Sequence, residues 1–237
     1  MKPLEKLNTD WLLATEIHKL EARLWRKAEL EKVQTILITS ANRGEGKSTT
    51  VALLATALAL HPDRRILAVD LDFREPQLSV HFGRVAVHGL GAVLLGECSP
   101  ESALIKTDLP NLDLILPAEQ GEDPGLLLRS RELAATLEFY RKGYDLILMD
   151  APALGPVADT SAVLPFVDGV VLMTMAGKTT KPQLKRAREI CLGMEANILG
   201  LIVGNMQESE SEYADAEYYA NYRRTKPGRY DGNKSQP

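Results

Sequence analysis

Cysteine is scarce: Cys98 and Cys191 are the only two in 237 residues. Two thiols cannot make a disulfide framework, and they suit a reducing compartment. An excess of positive charge is also missing. The formal net charge is −4, which excludes the basic footprint of a nucleic-acid binder. Long apolar runs are absent as well. The longest clean one, Val51 to Leu60, falls far short of the ~20 residues that a spanning helix needs. The run from Val163 to Met175 is interrupted by Asp168 and Gly169. No apolar stretch of signal type follows Met1 and Lys2. The expectation is a cytoplasmic protein, which would need a partner to bring it to a membrane. His18, His61, His81 and His88 are scattered without ligand spacing, so no zinc site is expected. What is present, 45% hydrophobic and 25% charged residues, is ordinary for a globular chain long enough to bury a core without staples.

The hydrophobic pattern changes along the chain. In Thr9 to Lys32, Leu13, Ile17, Leu20 and Leu24 recur at helical spacing, and Thr9 or Asp10 is a candidate cap. Such a stripe reads either as a helix packed on the core or as an interaction helix for self-assembly. From Gln34 onward, short apolar runs alternate with helical ones. Strand candidates are Thr35–Thr39, Ile66–Val69, Leu112–Leu116, Leu146–Met149, Val170–Met173 and Leu199–Val203. Helix candidates between them include Ser48–Leu60, Gly125–Tyr140 and Lys181–Glu195. The strands are nearly continuous in apolar residues, as strands covered on both faces are. The expected fold is α/β, a doubly wound and mostly parallel sheet with helices on both faces. Residues 1–33 form an N-terminal helical segment in this reading, 34–205 the central domain and 206–237 a tail. The tail lacks Val, Ile, Leu, Phe and Trp, so a flexible segment is expected. It carries five of the seven tyrosines: Tyr213, Tyr218, Tyr219, Tyr222 and Tyr230.

Three stretches carry phosphate chemistry. Ala41 to Thr49 fits the P-loop pattern, with Ala41 in place of the first glycine. Gly44 and Gly46 let successive backbone N–H groups turn into one concavity, and the following helix offers its positive end to phosphate. Lys47 would reach the β and γ phosphates of ATP, and the Ser48 hydroxyl would ligate Mg2+. Arg43, Glu45 and Thr49 complete the nucleotide-binding stretch. The second is Asp70-Leu71-Asp72-Phe73-Arg74-Glu75-Pro76, at a strand end where such sheets bind ligands. Residues two apart face one side of an extended backbone, so Asp70 and Asp72 can both point at one metal–phosphate centre. The third is Leu146 to Met149 ending in Asp150, the Walker B pattern, whose carboxylate holds Mg2+ directly or through water.

The order of these stretches resembles the bacterial tyrosine kinases of capsule and exopolysaccharide assembly. They are P-loop ATPases related to the partition and septum-site ATPases. The family's three phosphate motifs match Ala41–Thr49, Ile66–Pro76 and Leu146–Pro152, and further counterparts lie at Asn111–Pro117, Asp123–Ser130, Val167–Gly177 and Leu199–Asn205. The partition branch carries a signature lysine where Asn42 stands, so the kinase branch fits better. Arg43 occupies a position usually held by proline, and Asp123-Pro124 replaces Asn-Pro. Glu16 to Arg23 matches the family's assembly helix, Glu-x-x-Arg-x-x-Arg, in part.

The resemblance implies transfer of the γ-phosphoryl of ATP to tail tyrosines. Catalysis would rest on Lys47, Asp70, Asp72 and Asp150, with Asp70 the base that a phenol of pKa ~10 requires. Metal would be held by Ser48, Asp72 and Asp150, and the adenine contacted by Asn205. Arg74 reads equally as an organiser of the acidic loop or a plain surface arginine. The resemblance also implies a homo-oligomer and a separate membrane-spanning activator that recruits the protein to the inner face of the cell membrane. Each phosphate adds about −1.5 to −2 charges, so a phosphorylated tail should leave a carboxylate-lined site and loosen the oligomer. Lys178, Lys181, Lys185, Arg186 and Arg188 read as a solvated helix face or as a docking surface for the activator. The runner-up is a P-loop ATPase that switches assembly without kinase activity.

Overall fold

Seven apolar segments pair into one sheet in the computed structural model, which describes residues 2–118, 123–155 and 159–205. The strands are β1 (Thr35–Ser40), β2 (Ile66–Asp70), β3 (Ile105–Lys106), β4 (Leu112–Ile115), β5 (Leu146–Asp150), β6 (Gly169–Met175) and β7 (Ile198–Gly204). Their spatial order is β3-β4-β2-β5-β1-β6-β7, and every neighbouring pair is parallel except β3 with β4. Residues of β1, β2, β4 and β5 are buried throughout, because the alternating side chains of each strand meet a helical layer on either face. Thus Ile36, Ile38, Leu146 and Leu148 enter one core cluster, while Leu37, Ile147 and Met149 enter the other.

The first face is covered by α1 (Pro3–Thr9), α2 (Trp11–Glu31), α3 (Lys47–Ala59) and α4 (Leu78–Phe82). Val51, Leu54 and Leu58 of α3 fill its centre. The second face is covered by α5 (Leu90–Leu94), α6 (Pro124–Leu127), α7 (Arg131–Arg141), α8 (Asp159–Val163) and α9 (Lys181–Gly193). This is the doubly wound α/β fold expected from the alternation of runs. A fully buried Leu or Ile contributes about 1.5–3 kcal/mol here.

Several boundaries differ from the sequence reading. A short helix, α1, precedes the expected one, and of the two candidate caps it is Asp10 that leaves helical backbone and caps α2, its carboxylate accepting the Leu13 amide at 3.0 Å. The α2 stripe faces the core: Ile17 and Ala28 are buried, and Leu13, Leu20 and Leu24 pack beside them. Glu21 is buried with them and pairs with Arg64, whose guanidinium lies 4.1 Å from the centre of the Trp25 ring. The segment Gly125–Tyr140 is broken, since Ser130 takes extended backbone ahead of α7. Strand β3 and helices α4 and α5 had no counterpart in the reading, being only two to five residues long.

The chain divides into two units, Met1–Gly204 and Asn205–Pro237. Of the second, only Asn205 is described, so the tail 206–237 and Tyr213, Tyr218, Tyr219, Tyr222 and Tyr230 lie outside the described residues. Among the described residues no helix is long and apolar enough to cross a membrane.

Candidate active site

The parallel strands deliver their C-terminal ends to one edge of the sheet. β1 ends there in the loop Ala41–Gly46, which opens directly into α3. Gly44 and Gly46 have φ of +73° and +87°, the left-handed region that side chains rarely adopt. At Gly46 a Cβ would also come within 3.1 Å of the Met173 Cε of β6. Lys47 is the first residue of α3 and is buried, while Ser48 and Thr49 follow half-buried in the first turn. The Thr49 hydroxyl lies 3.4 Å from His81 Nε2.

Glu45 plays a different part from its neighbours. Its side chain is fully buried and turned into the protein. The carboxylate accepts from the Asn42 amide at 3.0 Å, from Asn42 Nδ2 at 2.9 Å and from the Thr179 hydroxyl. It braces the loop from below, which leaves only its backbone N–H for a ligand. Arg43 is exposed and pairs with Glu75, tying the glycine loop to the acidic loop.

Asp70 and Asp150 are register partners at the ends of β2 and β5. Both are wholly buried. Asp70 Oδ1 accepts the Asp72 amide, and Oδ2 accepts the Gln77 and Leu78 amides, each at 3.0 Å. These bonds fold the acidic loop back onto its own strand and hold the start of α4. Burial pushes the Asp70 pKa up, against the lowering pull of the amides. Asp150 has no hydrogen-bond partner on either oxygen. Burial first, and then the neighbouring Asp70 charge, push its pKa up. The Ser48 hydroxyl and the Lys47 ammonium lie near enough to favour the anion, without completing a hydrogen bond.

Asp72 is half-buried, and its Oδ1 accepts the Glu75 amide at 3.0 Å. Among the described residues, no three Asp, Glu, His or Cys side chains close on one point. The metal set expected from the sequence is Ser48, Asp72 and Asp150, with Asp70 as the base, and Asp70 here accepts three backbone amides. A Mg2+ ion still fits, because it takes one or two carboxylates and completes its shell with water and substrate phosphate. An orphaned buried carboxylate beside a serine hydroxyl is the donor set for that arrangement. Asn205 directly follows β7 and has φ of +56°.

Arg74 is more than a surface residue. Its Nε donates to the buried Asp159 of α8 at 2.9 Å, and it lies 3.6 Å from Asp123, the cap of α6. Hydrogen bonding and charge from Asp159 hold its guanidinium pKa up. The sequence reading missed Thr179 and Met173, which touch the glycine loop from the β6 side. It also grouped Lys178 with the α9 cations. Lys178 instead turns to the loop, while Lys181, Lys185, Arg186 and Arg188 stay exposed on α9. The short spacing between the β6 strand end and Lys178 was the available signal.

Comparison with known proteins gives the family and the fold. A family model described as an AAA domain matches residues 33–177. The tyrosine-protein kinase YwqD of Bacillus subtilis (strain 168) is 33% identical over 183 residues, which is 77% of each chain. The BceF tyrosine kinase domain superposes with a TM-score of 0.72 at 26% identity, covering 79% of this chain and 75% of that one. The septum site-determining protein MinD of Pyrococcus horikoshii OT3, solved with Mg-ADP, superposes with a TM-score of 0.63 at 27% identity, covering 75% and 72%.

Proposed function

Because the chain belongs to the bacterial tyrosine-protein kinase family, within the AAA-domain P-loop ATPases, we propose that it is an ATP-dependent, autophosphorylating protein-tyrosine kinase. The observation that carries the reading is Asp150, an unpartnered buried carboxylate set between Lys47, Ser48 and Asp70 at the mouth of a glycine loop. Such a group is costly to bury alone, and a cation with phosphate resolves the cost.

In this mechanism the amides of Gly44 to Thr49 and the Lys47 ammonium bind and orient the phosphates. Mg2+, when bound, neutralises developing charge on the phosphoryl oxygens. Ser48 and Asp150 are the residues that would hold it, with Asp72 acting through water. Asp70 is the candidate base for the tyrosine hydroxyl. Its raised pKa suits that task, and Oδ1, which accepts one amide only, keeps a lone pair for the proton. Asn205 is the candidate adenine contact, and Tyr213, Tyr218, Tyr219, Tyr222 and Tyr230 are the candidate acceptors.

The wider setting is proposed on the same footing. The protein would act as a homo-oligomer on exopolysaccharide or capsule polymerisation and export. A separate membrane-spanning partner would activate it and bring it from the cytoplasm to the membrane. The test incubates the purified chain with Mg·ATP, with and without cytoplasmic segments of candidate activators, and reads phosphotyrosine by blot and phosphopeptide mapping. Label on the tail tyrosines, lost in Lys47→Met, supports the kinase. ATP turnover without label, unchanged when all five tyrosines are Phe, identifies an assembly ATPase instead.

A further inference from the structure

The turn between β6 and α9 holds the glycine loop from outside. Lys178 Nζ donates to the carbonyl oxygen of Gly44 at 3.1 Å and to that of Arg43 at 3.3 Å. It packs so closely over the loop that a Cβ on Gly44 would come within 3.1 Å of it. The next residue, Thr179, donates its hydroxyl to Glu45 and accepts the Met175 amide at 2.9 Å. The turn itself is closed by the Lys178 and Thr179 amides on the Met175 carbonyl, at 3.1 and 2.9 Å. Its reversal passes through Gly177, with φ of +75°.

In a trans peptide the N–H points opposite to the C=O of the same unit. The Arg43 carbonyl shares its peptide plane with the Gly44 N–H, and the Gly44 carbonyl shares its plane with the Glu45 N–H. An ammonium that draws both carbonyls to the outer side therefore turns both amides toward the concavity. It also adds one positive charge beside a site built for phosphate.

We propose that Lys178 is a positioning residue for nucleotide phosphate, aiming the Gly44 and Glu45 amides without touching the ligand, while Thr179 fixes the loop's underside through Glu45. The inference rests on the nucleotide reading above. Amides aimed at phosphate serve bound nucleotide and transition state alike, so Lys178 acts on affinity rather than turnover.

The test is calorimetric titration of the full chain with Mg·ADP and Mg·ATP, using wild type, Lys178→Met, Lys178→Arg and the exposed α9 control Lys185→Met. Lys178→Met is expected to weaken both nucleotides roughly tenfold. Arginine should restore affinity to within about threefold, because it can still donate to both carbonyls. Lys185→Met should bind as wild type does. In phosphorylation assays KM for ATP should rise with kcat within about twofold of wild type. Wild-type affinity in Lys178→Met, with or without a lower melting midpoint, overturns the inference alone. So does a loss that arginine fails to rescue, or an equal loss in Lys185→Met. No binding by the wild-type chain removes the nucleotide reading and this inference with it.

Discussion

Asp70 and Asp150 stand side by side in register on β2 and β5, yet Asp70 accepts three backbone amides and Asp150 accepts nothing. Their removal should therefore have opposite effects on the free protein. Asp70→Asn puts an amide donor against backbone donors and should cost about 1–3 kcal/mol of stability. Asp150→Asn replaces a buried carboxyl that completes no hydrogen bond and whose pKa burial pushes up, so the melting midpoint without nucleotide should hold or rise. The Mg2+-dependent part of nucleotide affinity should disappear in the same variant. Thermal melts with and without Mg·ADP measure both.

Gly46→Ala should fail at the nucleotide site before it fails as a fold. The backbone there is left-handed and the Met173 methyl is close, so about 1–3 kcal/mol of strain enters at the loop. Gly193→Ala, in the last turn of α9 with open space around it, should be neutral or stabilising by up to about 1 kcal/mol. Nucleotide titration and melting of the two variants separate local strain from a general cost of losing glycine.

Glu45→Gln should loosen the loop. Asn42 and Thr179 present only donors to this buried carboxylate, and a glutamine amide turns one of its two acceptors into another donor. The expected loss is about 1–3 kcal/mol of stability together with weaker nucleotide binding. Hydrogen exchange of the residue 41–46 amides should speed up in the variant.

Asp168 anchors the opposite pole of the sheet. It receives Arg141 through two bonds, at 2.7 and 2.8 Å, and the Gln34 and Thr35 amides at 2.8 Å. Burial alone would raise its pKa, and the guanidinium and amides more than offset this and hold it below the usual carboxylate value. A lowered folded-state pKa means that the stabilisation is complete above the unfolded value. It is lost as pH falls through the folded one, that is, below about 4. Asp168→Asn should lower stability at neutral pH by roughly 1.5–3 kcal/mol and flatten the acid limb of a stability–pH curve.

Much of this was legible in the sequence. Core strands β1, β2 and β5 are continuous apolar runs ending in the phosphate motifs, and a run buried on both faces announces itself. The glycines of the loop also declared their role, since a loop of successive inward amides needs positive φ. Other features rest on tertiary contact. Glu45 reads as one more residue of a phosphate motif, and only the fold reveals that Asn42 and Thr179 take its charge. Lys178 lies in a run of cations at helical spacing, and its nearness to the end of β6 is the one local mark that separates it from Lys181. Asp70 and Asp72 read as sharing one side of an extended backbone, but β2 ends at Asp70, and amides up to eight positions later bond back to it. Strand β3 is two residues long, too short for any period to register.

The strand order has one more consequence, for synthesis. β5 lies between β1 and β2, so the two earliest strands of the sheet are not neighbours. A nascent chain must leave a slot between them until residue 146 has emerged. Until then both flanking edges are unpaired and sticky, and the pairing that closes the sheet spans a long stretch of chain. Fragments that stop before Leu146 should not assemble the nucleotide pocket at all, and they would be the natural clients of a holding chaperone.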